Sequence, residues 1–212
     1  MITRKPTVID SPLDAKQELR LLGLSPEIVQ AIARAAAAAK VDAMPVDPCN
    51  SPGTFAYIYG VRHTRLQLLP LGGWRMSRNG NIEATINDTR GIQIWYQNVD
   101  EACGDKDPEA ISGKGSGARD LVQRGQKELF ERPLDNSVVP LGATLTVWII
   151  CVSTDGKRLC AEVSCPKSFE GDQFGEFSKR IFVVNESLDP TPAPERDQDD
   201  GESDYEVRIS RK

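Results

Sequence analysis

A chain of 212 residues, 39% hydrophobic and 27% charged, fits one domain with appendages or two small ones, and is long enough to bury a core. No apolar run reaches the ~18 residues of a membrane helix, and Asp10, Asp14 and Glu18 interrupt the start, so neither a membrane span nor a secretory leader is expected and the cytoplasm is the expected location. A net charge of −5 argues against a protein that coats nucleic acid through its whole surface.

That charge is unevenly placed. Between Asp47 and Glu83 there is no acidic residue, while Arg62, Arg65, Arg75 and Arg78 fall in the same stretch. From Glu186 to Glu206 the chain is strongly acidic, and residues 186–212 carry the whole net charge, leaving 1–185 neutral. Segregation of this kind concerns partners more than folding.

In chain order, residues 13–22 are helix-permissive, with Leu19 and Leu22 on one face and Gly23 as a stop signal. Ser25-Pro26-Glu27 starts a second helix over 26–41: Ser as N-cap, Pro in the first turn, and an acid at the positive end of the dipole. Ile28, Val29, Ile32 and Ala36 form its apolar stripe, and the alanines predict close approach to another surface. Residues 44–52 carry three prolines and read as a linker. Residues 55–59 and 65–69, aromatic and aliphatic, read as strands. Asn79-Gly80 signals a turn, after which Ile82, Ala84 and Ile86 alternate as a half-buried strand and 92–99 returns.

Residues 100–117 are polar and glycine-bearing, hence a loop, and 118–131 reads as a helix weakened by Gly125. Residues 144–152 form a continuous apolar strand, Asp155-Gly156 a two-residue turn, and 158–165 the return. That register opposes Trp148 to Val163, Ile150 to Ala161, Val152 to Leu159, and Cys151 to Cys160. A last strand is expected over 180–185, followed by a disordered acidic tail. The expected fold is α+β: a mostly antiparallel sheet with an N-terminal helical hairpin (1–46), one further helix inside a core domain (54–186), and the tail (187–212).

Little chemistry is legible. His63 is the only histidine, which removes sites needing two, and no neighbouring carboxylate orients it. The five cysteines are irregularly spaced; Cys160 and Cys165 point to opposite faces of a strand, so neither zinc nor a secreted disulfide framework is read. A reversible Cys151–Cys160 bond is compatible with the register, with free thiols as the plainer reading. The glycines of 113–117 precede a helix and could cradle phosphate, but match no Walker motif and read equally as a flexible loop. Asp100, Glu101, Asp105, Asp107 and Glu109 could hold a divalent ion or form a solvated loop; Asp155 and Glu162 suit nuclease carboxylates only weakly, since Asp155 is explained by its turn. The helical hairpin has the shape of a helix-turn-helix, but its second helix offers only Arg34 and Lys40.

The patch is the remaining candidate. Arg62, Arg65, Trp74, Arg75 and Arg78, with Tyr57 and Tyr59, suit phosphate contact and base stacking, and equally suit an acidic protein surface. The alternative puts Trp74 and the tyrosines in the core and leaves the arginines to solvent. Residues 73–75, 81–86 and 177–182 resemble uncharacterised accessory proteins of bacterial phages and mobile genetic elements. The resemblance covers less than half the chain and implies a setting in which small proteins bind host machinery. The expected function is a non-enzymatic binding or inhibitory protein recognising a host protein or nucleoprotein, without cofactor or metal. Its alternatives are a metal-dependent enzyme acting on nucleic acid or nucleotides, using the 100–109 acids, and a virion or scaffold component.

Overall fold

A computed structural model describes residues 5–79, 81–113, 115, 117–123 and 145–188. Strand β1 (Thr7–Ile9) leads into helices α1 (Pro12–Leu21) and α2 (Pro26–Val41), within a residue of the sequence reading. The Ser25 hydroxyl accepts the Ile28 N–H at 3.4 Å, a cap of a kind that contributes about 1 kcal/mol. Gly23 ends α1 in the left-handed region at φ +70°, where a side chain would strain the backbone.

The reading of 55–59 and 65–69 as strands is wrong: 55–59 and 65–68 lie in one helix, α3 (Ser51–Leu68), Leu69 opens the 3-10 turn that follows, and the supposed linker 44–52 overlaps the helix by its last two residues. Aromatic and β-branched content suggested strand, but the spacing decided otherwise. Ala56, Gly60, Thr64 and Leu68 recur every fourth residue and are its buried stripe. Three of the four are small, so α3 lies close on its neighbours. Gly60 is pressed against the Tyr96 ring, with no room for a methyl group. The alanines of α2 share that core, as their number predicts: Ala33, Ala36 and Ala37 are buried beside α3's Ala56.

A short 3-10 turn (Leu69–Leu71) leads to β2 (Trp74–Asn79), β3 (Ile82–Asn87) and β4 (Ile92–Asn98). After the 99–145 crossover come β5 (Thr146–Thr154), β6 (Arg158–Pro166), a small β7–β8 hairpin (Phe169–Glu170, Gln173–Phe174) and β9 (Phe177–Ser187). One seven-stranded sheet runs β1-β9-β6-β5-β4-β3-β2. Its pairings are antiparallel except β1–β9 and β4–β5. The fold is therefore α+β, as expected.

The helices cover one sheet face, burying Ile94, Tyr96, Ile150, Leu159, Val163 and Ile181 with α1, α2 and α3 in one core. The opposite face, with Trp95, Ile149, Cys151 and Phe177, is closed by the 99–111 loop, residues 117–123 (helical) and the β7–β8 hairpin. Burial from both sides explains why 147–152 reads as an uninterrupted apolar run.

The β5–β6 register is displaced by two residues from the reading. Ile150 opposes Val163, Val152 opposes Ala161, and Cys151 opposes Glu162, not Cys160. Asp155 is not a central turn residue: its Oδ1 accepts the N–H groups of Lys157 and Arg158, both at 2.8 Å, and the loop is longer. A two-residue shift keeps every side chain on its face, so the apolar pattern was satisfied equally well by the wrong register. All five cysteines are free thiols. Burial pushes the thiols of Cys103, Cys151 and Cys160 up, holding them protonated.

Candidate partner-binding surface

The arginines of the acid-free stretch come from two elements. Arg62 and Arg65 lie on the C-terminal half of α3; Arg75 and Arg78 lie on β2, one of the two edge strands of the sheet. Glu83 on β3 stands between them and pairs with both Arg65 and Arg78, the latter at 3.2 Å. Arg75 makes a two-point contact with Asp88, Nε to Oδ2 at 2.6 Å and Nη2 to Oδ1 at 2.9 Å. That hydrogen bonding holds the Asp88 carboxyl below the usual carboxylate range. The two acids just past the gap thus answer three of its four arginines.

Arg62 differs. It is exposed, its guanidinium lies 4.4 Å from the centre of the Tyr59 ring, and among the described residues no carboxylate pairs with it. His63 stacks on the same tyrosine at 6.2 Å. Trp74 is only 9% exposed and belongs to the core under the helices. Arg65 is largely buried, and its Nε finds no hydrogen-bond partner among the described residues.

Sequence reasoning missed the apolar part of this surface, because it placed these residues on strands. With α3 a helix, Ile58, Tyr59, Arg62 and Leu66 follow the three- and four-residue spacing of one outward face. Ile58 is 43% exposed and Leu66 58%, with Leu71 and Met76 exposed further along the chain. An apolar face centred on an arginine and a tyrosine has the composition of an interface anchor.

The other candidates receive structural explanations. Asp100 accepts the Glu109 N–H at 2.8 Å, and Asp107 accepts the Phe177 N–H at 3.4 Å while lying 3.7 Å from Arg180. Burial raises the Asp107 carboxyl above its usual value. Asp100, Glu101 and Asp155 do meet at a cleft of about 260 Å³, but Arg158 stands in the same wall. No group of three metal-donor side chains occurs among the described residues. Gly113 packs against the Asp172 carboxylate, which sets a negative charge beside the glycine loop; Lys114 and Ser116 lie outside the described residues. The acidic run from residue 189 on also lies outside them.

Glu162 is fully buried in a salt bridge with Arg180, also sealed from solvent. Its carboxylate also accepts the Cys103 N–H at 2.6 Å and the Ser164 hydroxyl at 2.7 Å, while Arg180 donates to the Lys106 carbonyl at 2.7 Å. This network fastens the 99–111 loop to the sheet. No described helix is long and apolar enough to cross a membrane. The architecture is a mixed sheet between a helical layer and a loop layer, bearing an exposed helix face beside an arginine-lined edge. No family model, curated protein or solved structure matches the chain.

Proposed function

We propose that this is a non-enzymatic binding or inhibitory protein, of a phage or mobile element, that recognises a host protein through the outer face of α3. The observation that carries the reading is the exposed row Ile58, Tyr59, Arg62 and Leu66, which no described element covers. It favours a protein partner over nucleic acid. Nucleic acid affinity rests on cations free to release counterions, whereas Arg65, Arg75 and Arg78 already hold carboxylates. Arg62 over Tyr59 with apolar residues beside it is suited to an acid-rimmed apolar site on a protein. Binding would act by occlusion, with the acidic residues after Glu186 competing for the same face.

The test is affinity purification from the native host with the wild-type chain and with Arg62→Glu/Leu66→Asp, a pair that leaves the core untouched. A protein captured by the first and lost by the second is expected; identical capture by both overturns the reading.

A further inference from the structure

Leu188, one residue past β9, still follows the antiparallel pairing of β9 with β6. The Leu188 N–H donates to the Lys157 carbonyl at 2.6 Å, and its side chain packs against the core under the helices. It also forms one wall of a cavity of about 540 Å³, whose apolar walls include Ala38 and Val41 of α2, Pro52 of α3 and Leu159 of β6, with Thr154 and Asp155 on the β5 side. Val41 is 78% exposed, so an aliphatic side chain stands uncovered at the rim. Arg34 and Lys40 also border the cavity. Arg34 is held by Glu186 at 3.0 Å and Lys40 donates to the Thr154 carbonyl at 2.5 Å, so both heads are fixed in place.

We infer that this cavity is the docking site of the chain's own residues 190–194, Pro190-Thr191-Pro192-Ala193-Pro194, bound in cis. Connectivity is the first argument. Leu188 is a wall, so this segment begins two residues from the cavity, and at about 3.1 Å per residue for a proline-rich strand it spans roughly 15 Å. Chemistry is the second. The walls from Ala38, Val41, Pro52, Leu159 and Leu188 are apolar; three prolines and an alanine present small apolar surfaces, and prolines bring no N–H that would need a partner. Energetics is the third. A proline-rich stretch is already extended, so little conformational entropy is lost on docking. A two-residue tether gives an effective concentration in the millimolar range, so an intrinsically weak contact is enough. The inference does not rest on the α3 reading, since it concerns the other end of that helix and needs no partner.

Methyl NMR tests it. The alanine and valine methyl spectra of the full chain are compared with those of a chain ending at Leu188, and with full-length Pro192→Asp/Pro194→Asp. The expected result is that the Ala38 and Val41 methyls shift between full and truncated chains, while the double variant gives the truncated spectrum. Coincident Ala38 and Val41 signals in all three samples overturn docking. Shifts that grow with protein concentration assign the cavity to the segment of a second copy and overturn the cis arrangement. Shifts unaffected by the double variant assign the effect to other residues after 188 and also overturn the proposal.

Discussion

Arg180 and Glu162 face each other across β6 and β9 in a two-point ion pair, Nε to Oε1 at 2.8 Å and Nη2 to Oε2 at 2.7 Å, with both side chains sealed from solvent. Each partner satisfies the other and a main-chain group inside the 99–111 loop, the Cys103 N–H for Glu162 and the Lys106 carbonyl for Arg180. Taking two charges out of water is costly, and only mutual attraction with complete hydrogen bonding offsets it. Arg180→Met should therefore cost about 3–5 kcal/mol in urea unfolding, because Glu162 is left buried without its counter-charge. Glu162→Met/Arg180→Met should recover part of that loss, though not all, since the Cys103 N–H loses its acceptor and the Lys106 carbonyl its donor. A double variant less stable than the single one would contradict this account.

The contact between α3 and the sheet turns on Gly60. In an open helix, glycine to alanine is stabilising by about 1 kcal/mol. Here the added methyl meets the Tyr96 ring, and overpacking of this kind costs about 1–3 kcal/mol. Gly60→Ala should consequently lower the thermal midpoint, and combining it with Tyr96→Leu should cost less than the two losses added together. A raised midpoint for Gly60→Ala would show that the helix stands further off the sheet.

Arg65 and Arg78 share Glu83 but differ in exposure, their side chains being 12% and 72% accessible. Water screens the outer pair, so Arg78→Ala should stay within about 0.5 kcal/mol of the wild type. Arg65→Ala removes the link between α3 and β3 and should cost clearly more. Denaturant midpoints measured side by side decide the order, and equal losses would refute it.

The β5–β6 turn predicts a pH dependence. Hydrogen bonds from the Lys157 and Arg158 N–H groups hold the Asp155 carboxyl below its ordinary 3.8. A folded value below the unfolded one means a contribution complete above about pH 4 and lost as the pH falls through the folded value. The thermal midpoint of the wild type should exceed that of Asp155→Asn near about pH 6, and the gap should close on acidification towards about pH 2. A gap that widens in acid would contradict the assignment.

The legible parts of this fold were those written in local signals. Ser25-Pro26 marked the start of α2 to the residue, and the alternation of β3 was visible directly. Helix α3 was misread because Phe55, Tyr57 and Ile58 carry strand propensity, while its small-residue stripe acquires meaning only once Tyr96 packs on it. The β5–β6 register was wrong by an even number, which periodicity does not detect. Glu162 was visible as an acid in an apolar strand, but Arg180 and the loop that completes its network lie far along the chain. The arginines of the candidate surface were legible as a charge count; their carboxylate partners and the apolar row beside Arg62 required the helix.

The central claim is that the exposed face of α3 contacts a partner protein. Photo-crosslinking in the native host, with a benzophenone side chain placed at Tyr59, at Leu66 or, as a control on the opposite side of the sheet, at Glu170, tests it most directly. The account predicts one shared protein adduct from positions 59 and 66 and none from 170. Adducts of equal yield at all three positions, or none at 59 and 66, would contradict it.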